Sequence, residues 1–406
     1  MMRWLYIDPT NRHEAAYRAE KLRAIGAWWR EFRLHAGEIR DRFSGKNDWD
    51  LAAWMSETLG AVDPRLMWEY GPAATGEGHR LVITPEVQQW LRPLVGTLLE
   101  QAPSIPGWEF YSYRLPDPDW VVETVRARTG SDVSQATFAA RLQGAGRIDL
   151  TFSLPQCTDS LDVDARTAAF VAAESLLGEE LVDLWIGEIH VAPPKRRGLL
   201  SSLRRGDGGG EAMMPLVELP SAVAGRVANL RSSLPERPCY EFIHETQWSS
   251  FTFQPREQDE YAGRDDMLVA ISGRSDVLQA AHTATLFHSR CFSRHGETFC
   301  YLKIDGAEGL ENSRFADRAE IEDALNEALI AAQAGCAIGG GTGLRYSYID
   351  LALTSVTRAR PLLREALLAG GIPQRTWLLF FDAAFSQEWI GIHDDAPPPP
   401  GVAHVD

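Results

Sequence analysis

The sequence lacks the features that assign many proteins to a class at first sight. None of its apolar runs approaches the roughly 20 residues that a membrane-spanning helix needs. The first residues, MMRWLYIDPTNRHEAA, carry no long apolar stretch followed by a small-residue cleavage site, so we expect no signal peptide. Basic residues are outnumbered, with 40 Lys and Arg against 56 Asp and Glu, which gives a net charge of −16. This balance disfavours general nucleic-acid binding and adsorption to anionic membranes, and it favours a basic protein partner.

Cysteine is scarce and scattered. The chain has 5 cysteines, an odd number, and no two of them form a CxxC pair. This pattern is typical of reduced thiols in the cytoplasm rather than of a disulfide framework. A cluster of histidines and cysteines lacks the spacing of a zinc site and predicts buried thiols beside solvated imidazoles; it contains His282, His288, Cys291, His295 and Cys300. We therefore predict a cytoplasmic protein without a metal or cofactor.

Familiar catalytic and nucleotide-binding motifs are missing as well. The sequence has no GxSxG elbow, no HExxH and no paired Cys–His signature. The glycine run at 339–343 is the one feature that suggests a phosphate loop. Such loops follow a strand and open a helix, whereas this run follows a predicted helix and precedes a predicted strand. We predict that it ends the helix and forms a turn.

What the sequence does contain is, first, a long amphipathic helix at its start. Residues 11–44 place apolar side chains in one continuous stripe, and the stripe consists of Leu22, Ile25, Trp29, Phe32, Ala36, Ile39 and Phe43. Asp48 is positioned to cap a second helix that Gly60 ends. The two helices predict a helical hairpin. Its stripe either packs on the protein's own sheet or forms the seam of a homodimer.

The rest of the chain alternates between strand-like and helix-like segments. Strings around 148–150 and 185–190 recur around 349–351 and 389–393, which suggests one unit used twice. We predict an α+β protein in which two related ferredoxin-like halves with mainly antiparallel sheets follow the helical hairpin. The predicted divisions are 1–65 for the hairpin, 66–192 for the first half, 193–214 for a flexible basic linker, 215–395 for the second half and 396–406 for a disordered proline-rich tail.

Three strings resemble a pattern in a family of bacterial cytosolic proteins. They are ITPE, PGWEFYSYR and LLGEELVDLWIG, and together they span about residues 80–190. No activity is attached to that family, so the resemblance implies a cytosolic setting and carries no functional residue to this chain.

The candidate binding residues lie on predicted strand faces. Side chains two residues apart point to the same side of a strand, and here such series combine tyrosines with acids. Tyrosine offers rigid apolar area with a polar tip, which suits recognition. The candidates are Glu109, Tyr111, Tyr113, Asp149, Tyr346, Tyr348 and Asp350. A covering helix or neighbouring half is the alternative, in which case these residues are core.

The favoured function is that of a non-catalytic binding or regulatory protein, with an acidic inhibitor or adaptor of a basic protein as the specific version. The alternative is a hydrolase that uses Asp350, Asp382 and His393, because a carboxylate beside a histidine can share general acid and base work. The two hypotheses differ in a structural consequence. An enzyme requires these three side chains to converge in one concave site.

Overall fold

The computed structural model describes residues 3–8, 11–143, 146–194, 212–283, 286–306, 310 and 313–402. It is a mixed α and β structure with mainly antiparallel sheets and a long first helix, as predicted. The helices are α1 (Arg12–Phe43), α2 (Leu51–Thr58), α3 (Arg92–Glu100), α4 (Val121–Thr129), α5 (Val163–Leu177), α6 (Glu179–Trp185), α7 (Leu219–Ser233), α8 (Cys239–Phe242), α9 (Ser275–Thr283), α10 (Arg318–Ala331) and α11 (Val356–Ala369). The strands are β1 (Met67–Pro72), β2 (His79–Thr84), β3 (Trp108–Tyr111), β4 (Thr137–Leu142), β5 (Ile148–Ser153), β6 (Ile186–Ala192), β7 (Met214–Pro215), β8 (Ser249–Thr252), β9 (Met267–Ser272), β10 (Thr298–Asp305), β11 (Gly335–Gly343), β12 (Tyr346–Leu353), β13 (Thr376–Phe380) and β14 (Trp389–Gly391).

The described strands form three sheets. Their orders are β1-β2-β3, β6-β5-β4-β7 and β14-β13-β10-β12-β11-β9-β8. The chain divides into two compact units built from interleaved stretches. The first unit comprises Met1–Ser112, Pro235–Leu278 and Phe287–Asp406, and the second comprises Tyr113–Leu234 and Gln279–Leu286. The first unit therefore holds the three-stranded and seven-stranded sheets, and the second holds the four-stranded sheet. Most of the predicted linker, residues 195–211, lies outside the described residues.

The long helix α1 forms where its pattern predicts. The side chain of Asn11 accepts hydrogen bonds from the backbone N–H groups of His13 and Glu14 and so caps the first turn. From Ile25 to Ile39 the apolar stripe is buried in one cluster with α3 and the three-stranded sheet, whereas Phe43 at its end is exposed. The Trp29 indole N–H donates to the carbonyl of Leu98 at 2.7 Å. The stripe thus packs on the protein's own sheet. The second helix is capped by Asp50 rather than by the predicted Asp48.

The segment before α1 is fixed by two carboxylates. Glu388 accepts hydrogen bonds from three successive backbone N–H groups, those of Trp4, Leu5 and Tyr6, at 2.6–3.1 Å. Arg3 pairs with both carboxylate oxygens of Glu14 at 2.8 and 2.9 Å, and its guanidinium lies 3.7 Å from the ring centroid of Trp389. Residues 3–6 are therefore held against the end of β14.

The seven-stranded sheet is antiparallel at every described pair. One of its faces packs on α10 and α11 through alternating apolar residues, such as Leu302, Ile349 and Leu378, which are at most 1% exposed. This apolar layer is the main core of the first unit. It leaves the opposite face of the same strands to be covered by other parts of the chain.

The prediction that the glycine run forms a turn is wrong. Residues 339–343 belong to β11, which pairs with β12 and β9 in the middle of the sheet. A Cβ at Gly340 would lie 2.9 Å from a carboxylate oxygen of Glu322, which reaches over the strand from α10. Glycine has a weak strand propensity, but a close approach across the strand requires it here, and this long-range packing determines the outcome.

The string CYEFIH forms the short helix α8 and a following 3-10 turn, although its aromatic and β-branched residues favour a strand. Pro238 precedes the helix, and the backbone N–H of Cys239 donates to the carboxylate of Glu297 at 2.7 Å. A distant acid therefore fixes the start of the turn, which short-range propensity does not reveal.

The predicted duplication of ferredoxin-like halves is not confirmed. In the second unit, residues 148–150 lie in β5 and pair in parallel with β6 at residues 186–192. In the first unit, residues 349–351 lie in β12, and β14 is separated from β12 by β10 and β13. The two copies of the echo therefore occupy different places in their sheets. The described part of the predicted disordered tail, 396–402, lies against the sheet, where the carbonyl of Pro397 accepts a hydrogen bond from the indole of Trp377.

Candidate functional site

The polar face of the seven-stranded sheet carries most of the candidate residues. We call it the tyrosine face. It is the side opposite α10 and α11, and its members alternate along β10, β12 and β13 with the apolar residues of the other side. It consists of Tyr301, Lys303, Asp305, Tyr346, Tyr348, Asp350 and Trp377, each at most 6% exposed.

An irregular stretch covers the tyrosine face. This cover segment, residues 253–266, contains no helix or strand and leads into β9. Tyr261 from the segment packs among Tyr346, Tyr348 and Trp377. Tyr346, Tyr348 and Asp350 share one face, as their spacing predicts. That face is covered, which is the alternative left open by the sequence, and the cover is a segment with no periodic pattern.

Asp266 fixes the end of the cover segment to the sheet. Its carboxylate accepts hydrogen bonds from the backbone N–H groups of Arg345 at 2.9 Å and Tyr346 at 2.8 Å. It also accepts one from the hydroxyl of Tyr348. Burial and this carboxylate raise the pKa of Tyr348 well above its usual range, so its hydroxyl remains a donor.

A second ionic group lies at one end of the tyrosine face. Arg345 and Arg375 both pair with the carboxylate of Asp305, at 2.6–3.2 Å. Arg375 also donates to Glu260 and to the hydroxyl of Tyr346, each at 2.8 Å. Since Glu260 belongs to the cover segment, this network is a further link between segment and sheet.

Lys303 is fully buried below the cover segment. Its ammonium donates to the carbonyl of Tyr261 and lies 4.0 Å from the ring centroid of Tyr346, a cation–π distance. Burial lowers the pKa of Lys303 from 10.5 to about 8, although Asp266, Glu260 and Asp265 act in the opposite direction. The Lys303 ammonium therefore loses its proton at a moderately alkaline pH, at which a solvated lysine keeps its own.

Arg264 occupies a cage of aromatic rings. Its guanidinium carbon lies 5.4 Å from the ring centroid of Tyr301, 5.6 Å from that of Tyr348 and 5.3 Å from that of Phe381. Asp350 closes the cage, with its two carboxylate oxygens 3.2 and 3.3 Å from the guanidinium nitrogens. Burial raises the pKa of Asp350, and Arg264 acts against that shift. We call Tyr301, Tyr348, Phe381 and Asp350 the aromatic cage.

The three catalytic candidates do not form one site. Asp350 and Trp389 occupy the same register position on strands that are three spacings apart, so they lie about 14 Å from each other. His393 lies four residues beyond Trp389 in the chain. Asp382 instead accepts hydrogen bonds from the backbone N–H, at 2.7 Å, and the hydroxyl of Ser289, and burial raises its pKa to about 6. The imidazole of His393 lies 2.9 Å from the carbonyl of Ile372.

The four-stranded sheet of the second unit offers a different surface. Helices cover one of its sides, where Phe138, Leu150 and Phe152 are fully buried. The other side carries short polar or charged side chains that are half-buried or exposed. We call it the open face, and it consists of Thr137, Ala139, Arg141, Asp149, Thr151, Ser153, Glu188 and His190.

Asp149 shapes the open face. Its carboxylate accepts the backbone N–H of Glu188 at 2.8 Å and the amide of Gln143. A Cβ at Gly187 would lie 2.5 Å from that carboxylate, so the glycine permits the contact. The bond spans a register shift between β5 and β6 and turns the side chains of Glu188 and His190 outward. Asp149 is thus a positioning residue of this face.

The other predicted binding residues have local roles. The carboxylate of Glu109 accepts backbone N–H groups of Ala74 and Thr75 at 2.6 and 3.1 Å, the Thr75 hydroxyl, and the Tyr111 hydroxyl at 2.9 Å. These hydrogen bonds, led by that of the Thr75 hydroxyl, lower the pKa of Glu109 to about 2. Tyr113 is half-buried and belongs to the second unit. Glu109 and Tyr111 hold the β1–β2 loop.

A group of metal ligands would indicate a metal site, and a long apolar helix would indicate a membrane protein. Among the described residues, no three His, Cys, Asp or Glu side chains are grouped so that they could hold a metal ion. None of the helices described combines the length and the apolar character that crossing a membrane takes.

Sequence reasoning missed Arg264, Lys303 and Phe381, which complete the tyrosine face. The sequence could have identified Lys303, because this residue alternates with Tyr301 and Asp305 in one strand. No periodic signal marks Arg264, since the cover segment is irregular.

No family model, curated protein or solved structure matches this chain. The resemblance to a bacterial cytosolic family stays a prediction, and a function must be inferred from the two surfaces themselves.

Proposed function

We propose that this chain is a non-catalytic binding or regulatory protein and that it contacts a protein partner through the open face of the four-stranded sheet. The supporting observation is the asymmetry of that sheet. One side is a buried apolar layer, and the other presents Thr151, Ser153, Glu188 and His190. In the part of the chain that the structure describes, helices cover only one side of this sheet, so its second side is available to a ligand.

Small side chains make this face suitable for macromolecular contact. Thr137, Ala139, Thr151 and Ser153 stand in adjacent rows on β4 and β5, so the middle of the face is flat. Charged side chains flank it, and the Glu188 side chain is 69% exposed. A polar, solvent-accessible rim is a usual feature of protein interfaces, and about one hydrogen bond forms per 100–200 Å² of interface, which the hydroxyls of this face can supply.

A basic partner is the version of the proposal that the charge supports. The chain carries a net charge of −16, and a field of this sign raises the rate of encounter with a basic protein. An acidic inhibitor or adaptor fits this description. A cytoplasmic setting also fits, because all five cysteines are buried and unbridged. The hydrolase alternative has less support, since Asp350, Asp382 and His393 serve three separate contacts.

The experiment uses a matched pair of substitutions in the second unit. Thr151→Arg places a long cation in the middle of the open face, whereas Thr167→Arg makes the same change at an exposed position of α5. Both proteins, and the wild type, are used as bait in cross-linking pull-downs, and the association rate of any recovered protein is measured at low and high salt. We expect Thr151→Arg alone to lose the partner. Retention by both variants would refute the open face as the contact.

A further inference from the structure

The aromatic cage differs from the ionic network around Asp305 in how its cation is held. Arg345 and Arg375 reach Asp305 at 2.6–2.8 Å for their shortest contacts. Arg264 reaches Asp350 only at 3.2 and 3.3 Å. Among the described residues, the Nε of Arg264 has no hydrogen-bond partner, and the Asp350 oxygen 3.2 Å from the guanidinium lies close to it without hydrogen-bond geometry. The cage therefore holds its guanidinium without the close paired hydrogen bonds that Arg345 and Arg375 form with Asp305.

The chemistry of the cage selects a guanidinium. Three ring faces within 5.6 Å attract a cation through their quadrupoles. Asp350 is 2% exposed and supplies two acceptor oxygens in one plane. A planar, weakly hydrated guanidinium matches both the rings and the carboxylate, whereas an ammonium is compact and strongly hydrated. A buried carboxylate also requires a cation, because without one it stands uncompensated.

The occupant comes from the least regular part of the unit. Arg264 belongs to the cover segment, follows Gly263 at a φ of +46°, and keeps 14% of its side chain exposed. The rings and Asp350, by contrast, belong to β10, β12 and the residue that follows β13. The rings and the carboxylate that bind the guanidinium thus belong to the sheet. The guanidinium itself belongs to a loop residue whose side chain is partly exposed to solvent.

We propose that Tyr301, Tyr348, Phe381 and Asp350 form a binding site for a guanidinium group, and that Arg264 occupies this site in place of a ligand. The ligand is a guanidinium-bearing molecule, either free arginine or a related small molecule, or an arginine side chain exposed on a peptide. An incoming guanidinium displaces Arg264 and releases the cover segment around that residue. Because Arg264 is tethered beside the site, it competes at a high effective concentration and keeps the apparent affinity of the wild type low.

The test removes the internal competitor. Arg264→Ala and Arg264→Gln are prepared in the full chain and titrated with ethylguanidinium, and with ethylammonium as the matched cation, by calorimetry and by the thermal midpoint. We expect ethylguanidinium to bind either variant at least about tenfold more tightly than it binds the wild type, given the effective concentration of a tethered group. It should raise the thermal midpoint of the variants, and ethylammonium should do neither.

The control variant keeps the emptied cage but removes its charge. Arg264→Ala with Asp350→Asn is expected to show no binding of ethylguanidinium, because the neutral amide no longer requires a cation. Equal binding of both cations, equal responses of the single and double variants, or no binding to either single variant would overturn the proposal. If Arg264→Ala does not fold, Arg264→Gln decides, and loss of folding in both, unrelieved by ethylguanidinium during refolding, also counts against it.

Two further arms identify the source of the guanidinium. Arginine amide and a capped Gly-Arg-Gly peptide are compared on the variant that folds. Binding of the amide alone assigns the site to small molecules, and binding of both assigns it to an exposed arginine side chain. The site lies in the first unit, so these results are independent of the Thr151→Arg experiment on the second.

Discussion

The carboxylate of Asp266 accepts a hydrogen bond from the hydroxyl of Tyr348, although the two residues are 82 positions apart in the chain. The same carboxylate accepts two backbone N–H groups at the start of β12. One fully buried acid therefore closes the β11–β12 turn and ties the cover segment to the sheet.

Removing this acid should destabilise the first unit. Asp266→Ala leaves a half-buried N–H group, a buried N–H group and a buried hydroxyl without their acceptor, and we expect the free energy of unfolding to fall by about 3 kcal/mol. Gly343→Ala should act in the same direction, because its Cβ would meet the Asp266 carboxylate. Urea unfolding followed by tryptophan fluorescence measures both. Asp323→Ala, at an exposed position of α10, is the control and should change the value by less than about 0.5 kcal/mol.

Lys303 should make the stability of the protein depend on alkaline pH. Its pKa is about 8 in the folded chain, against the 10.5 of a solvated lysine in the unfolded chain. Between these two values the unfolded chain holds a proton that the folded chain does not, so the folded state gains stability as the pH rises and loses it as the pH falls. We expect the unfolding free energy of the wild type, relative to that of Lys303→Met, to rise by about 3 kcal/mol from pH 8 to pH 10.5.

The measurement is urea unfolding of both proteins at several pH values, with Lys46→Met as the control because that side chain is 68% exposed. A constant difference between the wild type and Lys303→Met across the window would contradict the prediction. Tyrosine ionisation in the same range affects both proteins alike and cancels in the difference.

Asp382 should give the unfolding free energy the opposite dependence on pH, in the acidic range. Burial raises its pKa from 3.8 to about 6, so the folded chain keeps a proton that the unfolded chain releases as the pH rises between these values. The unfolding free energy of the wild type, relative to Asp382→Asn, should therefore fall by about 2 to 3 kcal/mol from pH 4 to pH 6. Acid titration of the two proteins by circular dichroism in urea tests it, and parallel curves would show that Asp382 does not titrate in this range.

Removing Trp29 from α1 should destabilise the first unit. It is 4% exposed and packs on Phe32 and Phe110. We expect Trp29→Ala to lower the free energy of unfolding by about 4 kcal/mol, and Trp29→Phe by about 1 to 2 kcal/mol, since it keeps a ring and loses the hydrogen bond to Leu98. The matched control is Trp120→Ala, whose side chain is 62% exposed. A similar loss for both alanine variants would mean that the stripe is not part of the core.

Local pattern predicted what depends on local geometry. The 3.6-residue period of α1 and the two-residue period of β12 placed Trp29 and Tyr348 on the right faces. The local pattern did not predict features that depend on pairing between residues far apart in the sequence. The glycines of β11 are a strand because β9 and β12 approach on both sides, and Tyr348 is buried because residues 253–266 lie over it. The open face was anticipated only through Asp149, since its other members are too small and polar to stand out in the sequence.

The contact between Glu388 and residues 4–6 also sets an order of events. During synthesis residues 4–6 emerge long before Glu388 exists, so α1 can pack on its sheet while the segment in front of it remains unanchored. Closing that contact joins positions 382 to 384 residues apart, and the entropy of such a long loop must be overcome before the contact contributes. Residues 4–6 are thus made long before the residue that fixes them in place. A protein stalled before β14 should expose residues 3–6 to proteases that the finished chain resists.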